Sequence, residues 1–226
     1  MAGDTPPNAE ELYSSAIVTI TVGAEPGAKF YIHQSILEAN SPFFKAALNK
    51  RWSEGKSLEV SLPEDETAVF ATYIDWLYQK VICAGFKAKP GTETRDMTED
   101  EHAEEFALLS KLYILAEKIQ DDECCDAAME RMIEKSETKD SDGNCWYPTG
   151  HTVTRLYNST LPGAPVRKFL VEVHRAEATS QWIIENSEDN HVEFLTDLVT
   201  ALLDDRQPDT FLDHYSSRKK QFLKKG

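Results

Sequence analysis

Phe30-Tyr31-Ile32-His33-Gln34-Ser35-Ile36-Leu37-Glu38-Ala39-Asn40-Ser41-Pro42-Phe43-Phe44 is the stretch on which the fold turns. Its first residues read as a strand. Ile36 and Leu37 then belong to a short helix, and Ser41-Pro42 starts another. A serine hydroxyl can satisfy free N–H groups at a helix start, and proline at the first helical position has no N–H to satisfy. Phe43, Phe44, Ala47 and Leu48 place apolar groups on one face of that second helix.

Upstream, Ala16, Val18, Ile20 and Val22 alternate with threonines, which predicts a half-buried strand. Gly23 to Gly27 supplies the turn into the strand at residues 29–32. Downstream, Leu58, Val60 and Leu62 alternate as a third strand, stopped by Pro63. Asp65 is placed to cap a helix carrying Phe70, Tyr73, Ile74 and Leu77 at helical spacing, and Val81-Ile82-Cys83 reads as a short edge strand. Residues 87–105 read as an exposed acidic loop. Helical periodicity returns with Phe106, Leu109, Leu112 and Tyr113, and again with Ala128, Met129, Met132 and Ile133. After a polar stretch from Glu134 to Asn144, helices are expected around 151–158, 164–176, 190–204 and 208–222.

The order of these elements is α+β. The quoted run closely resembles the signature of BTB/POZ domains, in which a strand ending in His leads to a helix with an apolar pair and then Ser-x-aromatic-Phe. The resemblance continues through Trp52-Ser53-Glu54, Leu58 to Leu62, Phe70, Asp75-Trp76-Leu77-Tyr78 and Leu112 to Ala116. The downstream runs Leu156-Tyr157 and Val166-Arg167-Lys168-Phe169-Leu170 look like those of small fungal BTB proteins. The resemblance implies a flexible N-terminus at 1–12, a BTB/POZ domain at 13–135 (a small mixed sheet flanked by helices) and an α-helical extension at 136–226. His33, Leu37, Ser41, Phe43, Phe44, Trp76 and Tyr78 form its structural signature, with His33 expected to hydrogen-bond the backbone at the strand-to-helix corner.

The resemblance also implies protein partners. In BTB adaptors of cullin-3 ubiquitin ligases, the segment after the Phe-Phe helix carries a hydrophobic residue, any residue, then Glu, and docks on the cullin. Trp52, Ser53 and Glu54 fit that order, and Tyr113 on the helix at 106–118 is expected to complete the surface. An exposed aromatic anchor beside a carboxylate suits such a contact. Equally, Trp52 could fold onto the core and leave Glu54 a solvated surface acid. Self-association is the other implied partnership: a homo- or hetero-dimerising scaffold or co-regulator that binds no cullin.

Composition narrows the rest. A hydrophobic content of 41% is that of a folded chain, and a formal charge of −15 repels nucleic acid and anionic lipid. Neither nucleic acid nor membrane is expected as a direct partner. No stretch approaches the roughly 18–20 apolar residues needed to span a bilayer, and the N-terminus lacks a signal-peptide pattern. An intracellular protein, cytoplasmic or nuclear, is therefore expected. Arg218, Lys219, Lys220, Lys224 and Lys225 are a local exception, read as either an import signal or a solvated helix end. No catalytic, cofactor or metal residues are assigned and no enzyme is expected. There is no phosphate-binding loop, dinucleotide-binding or zinc-protease motif. Cys124-Cys125 lacks a partner at zinc spacing, and His102, His151, His174, His191 and His214 are scattered.

Overall fold

The computed structural model of the chain describes residues 13–49, 57–82, 97–186 and 188–205. The N-terminus at 1–12, Trp52, Ser53, Glu54, Cys83 and the expected helix at 208–222 lie outside these residues.

Among the described residues three strands form one sheet in the order β2-β1-β3. β1 (Ile17–Val22) pairs antiparallel with β2 (Ala28–His33), Ile20 opposite Phe30, and parallel with β3 (Glu59–Leu62), Ile20 opposite Val60. In β1, Val18, Ile20 and Val22 are fully buried while Ile17 faces outward, the period-two pattern of a sheet with one packed face. At the β1–β2 turn Gly27 has φ of +47°, and a Cβ there would meet the Thr21 methyl at 2.7 Å, so only glycine fits.

Helix α1 (Gln34–Asn40) and helix α2 (Pro42–Ala47) follow β2, with Ser41 as the hinge between them. Its N–H donates to the Leu37 carbonyl, closing α1, and its Oγ accepts from the Phe44 N–H at 3.1 Å, opening α2. One buried residue thus ends one helix and starts the next.

Helix α3 (Thr67–Gln79) buries Phe70, Tyr73, Trp76 and Leu77. Asp65 does not cap it. Glu66 holds the cap position without a side-chain bond, and Asp65 instead pairs with Lys118 at 2.7 Å. Val81 and Ile82 are not in a strand: the chain leaves α3 through a left-handed Lys80 (φ 53°), and these two residues pair with none of the three strands.

Helix α4 (Glu99–Lys118) begins inside the segment expected to be an acidic loop at 87–105. Thr98 and Glu101 form a reciprocal capping box, and Glu99, Asp100 and Glu101 lie in the first turn, where carboxylates favour a helix N-terminus. The acids there are a helix-start signal rather than a loop signal. Helix α5 (Asp122–Glu137) is capped by Asp121, which accepts from the Cys124 N–H at 3.0 Å and from the Tyr73 hydroxyl at 2.9 Å.

Beyond α5 come α6 (His151–Ser159), α7 (Pro165–Glu177), α8 (Ser180–Glu185) and α9 (Val192–Asp204). Helix α6 packs on α4, and α6, α7 and α9 pack on one another. The apolar core runs without a break from Val18 in the sheet to Leu198 in α9. No helix among the described residues is long and apolar enough to cross a membrane.

Candidate functional site

At the corner where β2 becomes α1, the His33 backbone N–H points at the Tyr78 hydroxyl (3.4 Å), and that hydroxyl lies 2.9 Å from His33 Nδ1. The Tyr78 hydroxyl thus meets both the backbone and the ring of His33. His33 therefore bonds a tyrosine side chain from α3, where a backbone partner was expected. Ser15, from before β1, supplies the oxygen that α1 lacks locally, accepting the Ser35 N–H at 3.2 Å. Leu37 and Phe44 are fully buried, Trp76 is nearly so, and Phe43 lies edge-on to Phe44 at 5.2 Å. The Ser41 hydroxyl donates to the Ile119 carbonyl, tying this corner to the α4–α5 junction. These side chains hold the corner together and are committed to packing.

Residues 50–56 join α2 to β3. On one side Leu48 is buried and its N–H bonds the Phe44 carbonyl at 2.9 Å. On the other, Leu58 has φ of 55° and its carbonyl accepts the Thr19 N–H at 2.9 Å. Leu48 and Leu58, the described residues flanking that segment, are therefore held to the core.

Tyr113 offers no free contact face, contrary to the expectation for it. It is 3% exposed, and its hydroxyl engages Glu117 and the backbone of Val166 at the start of α7. Burial, with Glu117 adding to it, raises the phenol pKa above the ordinary value. The C-terminal helices cover the face of α4 that the sequence reading assigned to a partner.

Two buried charge clusters escaped the sequence reading. Glu105, expected on a solvated loop, is 5% exposed and bonds Lys135 (2.6 Å) and Arg131 (2.8 Å). Lys135 also reaches His102 Nδ1 at 2.8 Å, and the His102 ring stacks on Trp146 at 4.4 Å. Burial, then the neighbouring Lys135, lowers the His102 pKa. In the second cluster, Arg167 donates to the Tyr157 carbonyl (2.7 Å), the Thr160 carbonyl, Thr160 Oγ1 (3.0 Å) and Glu193 (2.6 Å), and covers the Tyr157 ring at 4.5 Å. It caps the open carbonyls at the end of α6 and joins α6, α7 and α9. The only sequence signal was an arginine at a position of α7 whose neighbours Val166 and Leu170 share the buried face.

Little here favours chemistry on a substrate. Cys124 and Cys125 are buried; burial pushes the Cys125 thiol up to about 12 and the Cys124 thiol higher still. Both thiols are protonated at neutral pH, and the nucleophilic and metal-binding form of cysteine is the thiolate. Among the described residues, no three His, Cys, Asp or Glu side chains are grouped to hold a metal ion. The three-stranded sheet, the His33–Tyr78 corner and the Ser41 hinge form a scaffold that presents surfaces, and the family comparison agrees: residues 10–109 match the model for the BTB/POZ domain. These residues are a BTB/POZ domain. No curated protein matches the chain. The matched BTB residues end within α4, so the rest of that helix and α5 to α9 lie beyond them.

Proposed function

We propose that this BTB protein is a non-catalytic intracellular adaptor that links a target to a cullin-3 ubiquitin ligase. In this reading residues 13–135 are the cullin-facing unit and 136–226 a helical unit that braces it and meets the target. The supporting observation is that Leu48 and Leu58, on either side of residues 50–56, are each held to the core. Flanks already held in place lower the cost of ordering the residues between them on a partner. With Tyr113 covered, the contact rests on Trp52, Ser53 and Glu54. Light scattering after size exclusion, on the protein mixed with a cullin-3 N-terminal domain, tests this. A co-eluting complex is expected, and Trp52→Ala with Glu54→Lys should weaken it at least tenfold. A wild-type protein that ignores the cullin overturns the reading.

A second reading, a self-associating scaffold without a cullin, draws support from the outer edge of the sheet. Among the described residues β2 lies at an edge of the sheet, and Tyr31 on it is 66% exposed. Exposed strand edges and large exposed side chains suit pairing with another chain. A dimer by light scattering, weakened by Tyr31→Lys and indifferent to the cullin, supports this second reading.

A further inference from the structure

Three aromatic rings converge beyond the matched BTB residues. Trp146 and Tyr147 come from the connection between α5 and α6, and Trp182 from α8; together they line a half-open cavity of about 340 Å³. Tyr147 and Trp182 lie 5.5 Å apart at 42°, and Trp182 is fixed edge-on to His174 at 5.7 Å. Trp146 is held by its stack on His102 and by donating from Nε1 to Asp140 at 3.1 Å. Glu99 and Glu185 also line the cavity, and Glu177 engages the Tyr147 hydroxyl. Among the described residues, none of these three carboxylates has a cationic partner.

The contrast with other rings in the chain is informative. Trp76 is covered by Lys80 at 3.8 Å, Phe106 by Lys135 at 5.2 Å and Tyr157 by Arg167 at 4.5 Å. The Tyr147–Trp182 pair has rings and carboxylates together but no internal cation. Aromatic faces attract cations through their negative quadrupole, and carboxylates beside them add charge-assisted hydrogen bonds. A planar guanidinium stacks and bonds in one pose, which a compact ammonium does not.

We propose that this cavity binds an arginine side chain from a basic segment of a partner protein. The site is separate from the segment at 50–56, so its test stands apart from cullin binding. The full-length protein is titrated, by tryptophan fluorescence and calorimetry, with a six-residue peptide holding two arginines between glycines. The same peptide with citrulline, which keeps the shape and loses the charge, is the comparison. The arginine peptide should bind at least tenfold more tightly than the citrulline one. Trp182→Ala and, independently, the surface change Glu185→Gln should each weaken it about tenfold, while Trp182→Phe keeps most of the binding. Asp126→Asn with Glu130→Gln, on the exposed face of α5, removes comparable charge elsewhere and should leave binding unchanged. Equal loss in that control, equal affinity for citrulline, or no binding to the wild type overturns the proposal. A tenfold gain on changing Arg218, Lys219, Lys220, Lys224 and Lys225 to Gln reassigns the cavity to the chain's own segment and overturns the partner assignment. No gain supports it.

Discussion

The sheet-and-helix region from β1 to α5 and the helices from α6 to α9 share one core but are held in different ways. In the first, Ile20, Phe44, Phe70 and Leu109 are fully buried, and the buried polar groups include the caps Ser41 and Asp121 and the Glu105–Lys135 pair. Apolar area, which is non-directional, supplies much of its stability. The second has no helix as long as α4 or α5 among its described residues and leaves Leu161, Ile184, Val192, Val199 and Leu203 exposed. Its centre is Arg167 with its ring of oxygens, and buried His174, whose Nδ1 lies 2.8 Å from the Leu170 carbonyl. Directional polar bonds concentrate stability in a few atoms, so single substitutions and protons should matter more there.

The largest expected effect falls on the first region. Phe44→Ala should cost about 3–5 kcal/mol, the usual range for emptying a buried aromatic site. Urea unfolding followed by circular dichroism checks it, and a loss below 1 kcal/mol would mean the corner can collapse around the gap. Arg167→Met should cost about 2–4 kcal/mol, since it leaves buried carbonyls of α6 without donors. Hydrogen exchange read peptide by peptide should show faster exchange in α6–α9 with β1–β3 still protected. Uniform loss would instead show that the two regions unfold as one.

The smallest effect concerns protons. Burial lowers the His174 pKa from its ordinary 6.5, and His102 shifts in the same direction. As pH falls through 6.5 the unfolded chain takes up these protons before the folded one. Their contribution is full above pH 6.5 and is lost as pH falls toward the folded values. The His174→Gln variant should therefore lose less stability than the wild type between pH 7 and pH 5 in matched urea series. Parallel curves would remove His174 as a source of that loss.

Legibility in the sequence followed the range of the interactions. β1, β2, the Ser41 hinge and α3 were readable because period-two and helical patterns and a Ser-Pro start are local signals. The expected helices at 151–158, 164–176 and 190–204 appear as α6, α7 and α9 for the same reason. The start of α4 was misread because acids were counted as solvation instead of as partners for helix N–H groups. The fates of Glu105 and Tyr113 were not readable, since Glu105 pairs with residues 26 and 30 positions away and Tyr113 meets the backbone of Val166 in α7. The aromatic cavity was equally hidden: Trp146 and Trp182 are ordinary residues until α8 brings their neighbourhoods together.

The sequence by itself determined the α+β order, the BTB signature and the acidic character of the chain, because these rest on spacing, turn chemistry and net charge. Only the tertiary structure decided which polar residues are buried and which surfaces remain open. It put Arg167 over the end of α6, Tyr113 under α7, and Trp146, Tyr147 and Trp182 around one cavity. Burial is a property of the whole packing arrangement, and no local stretch of chain encodes what will lie across from it.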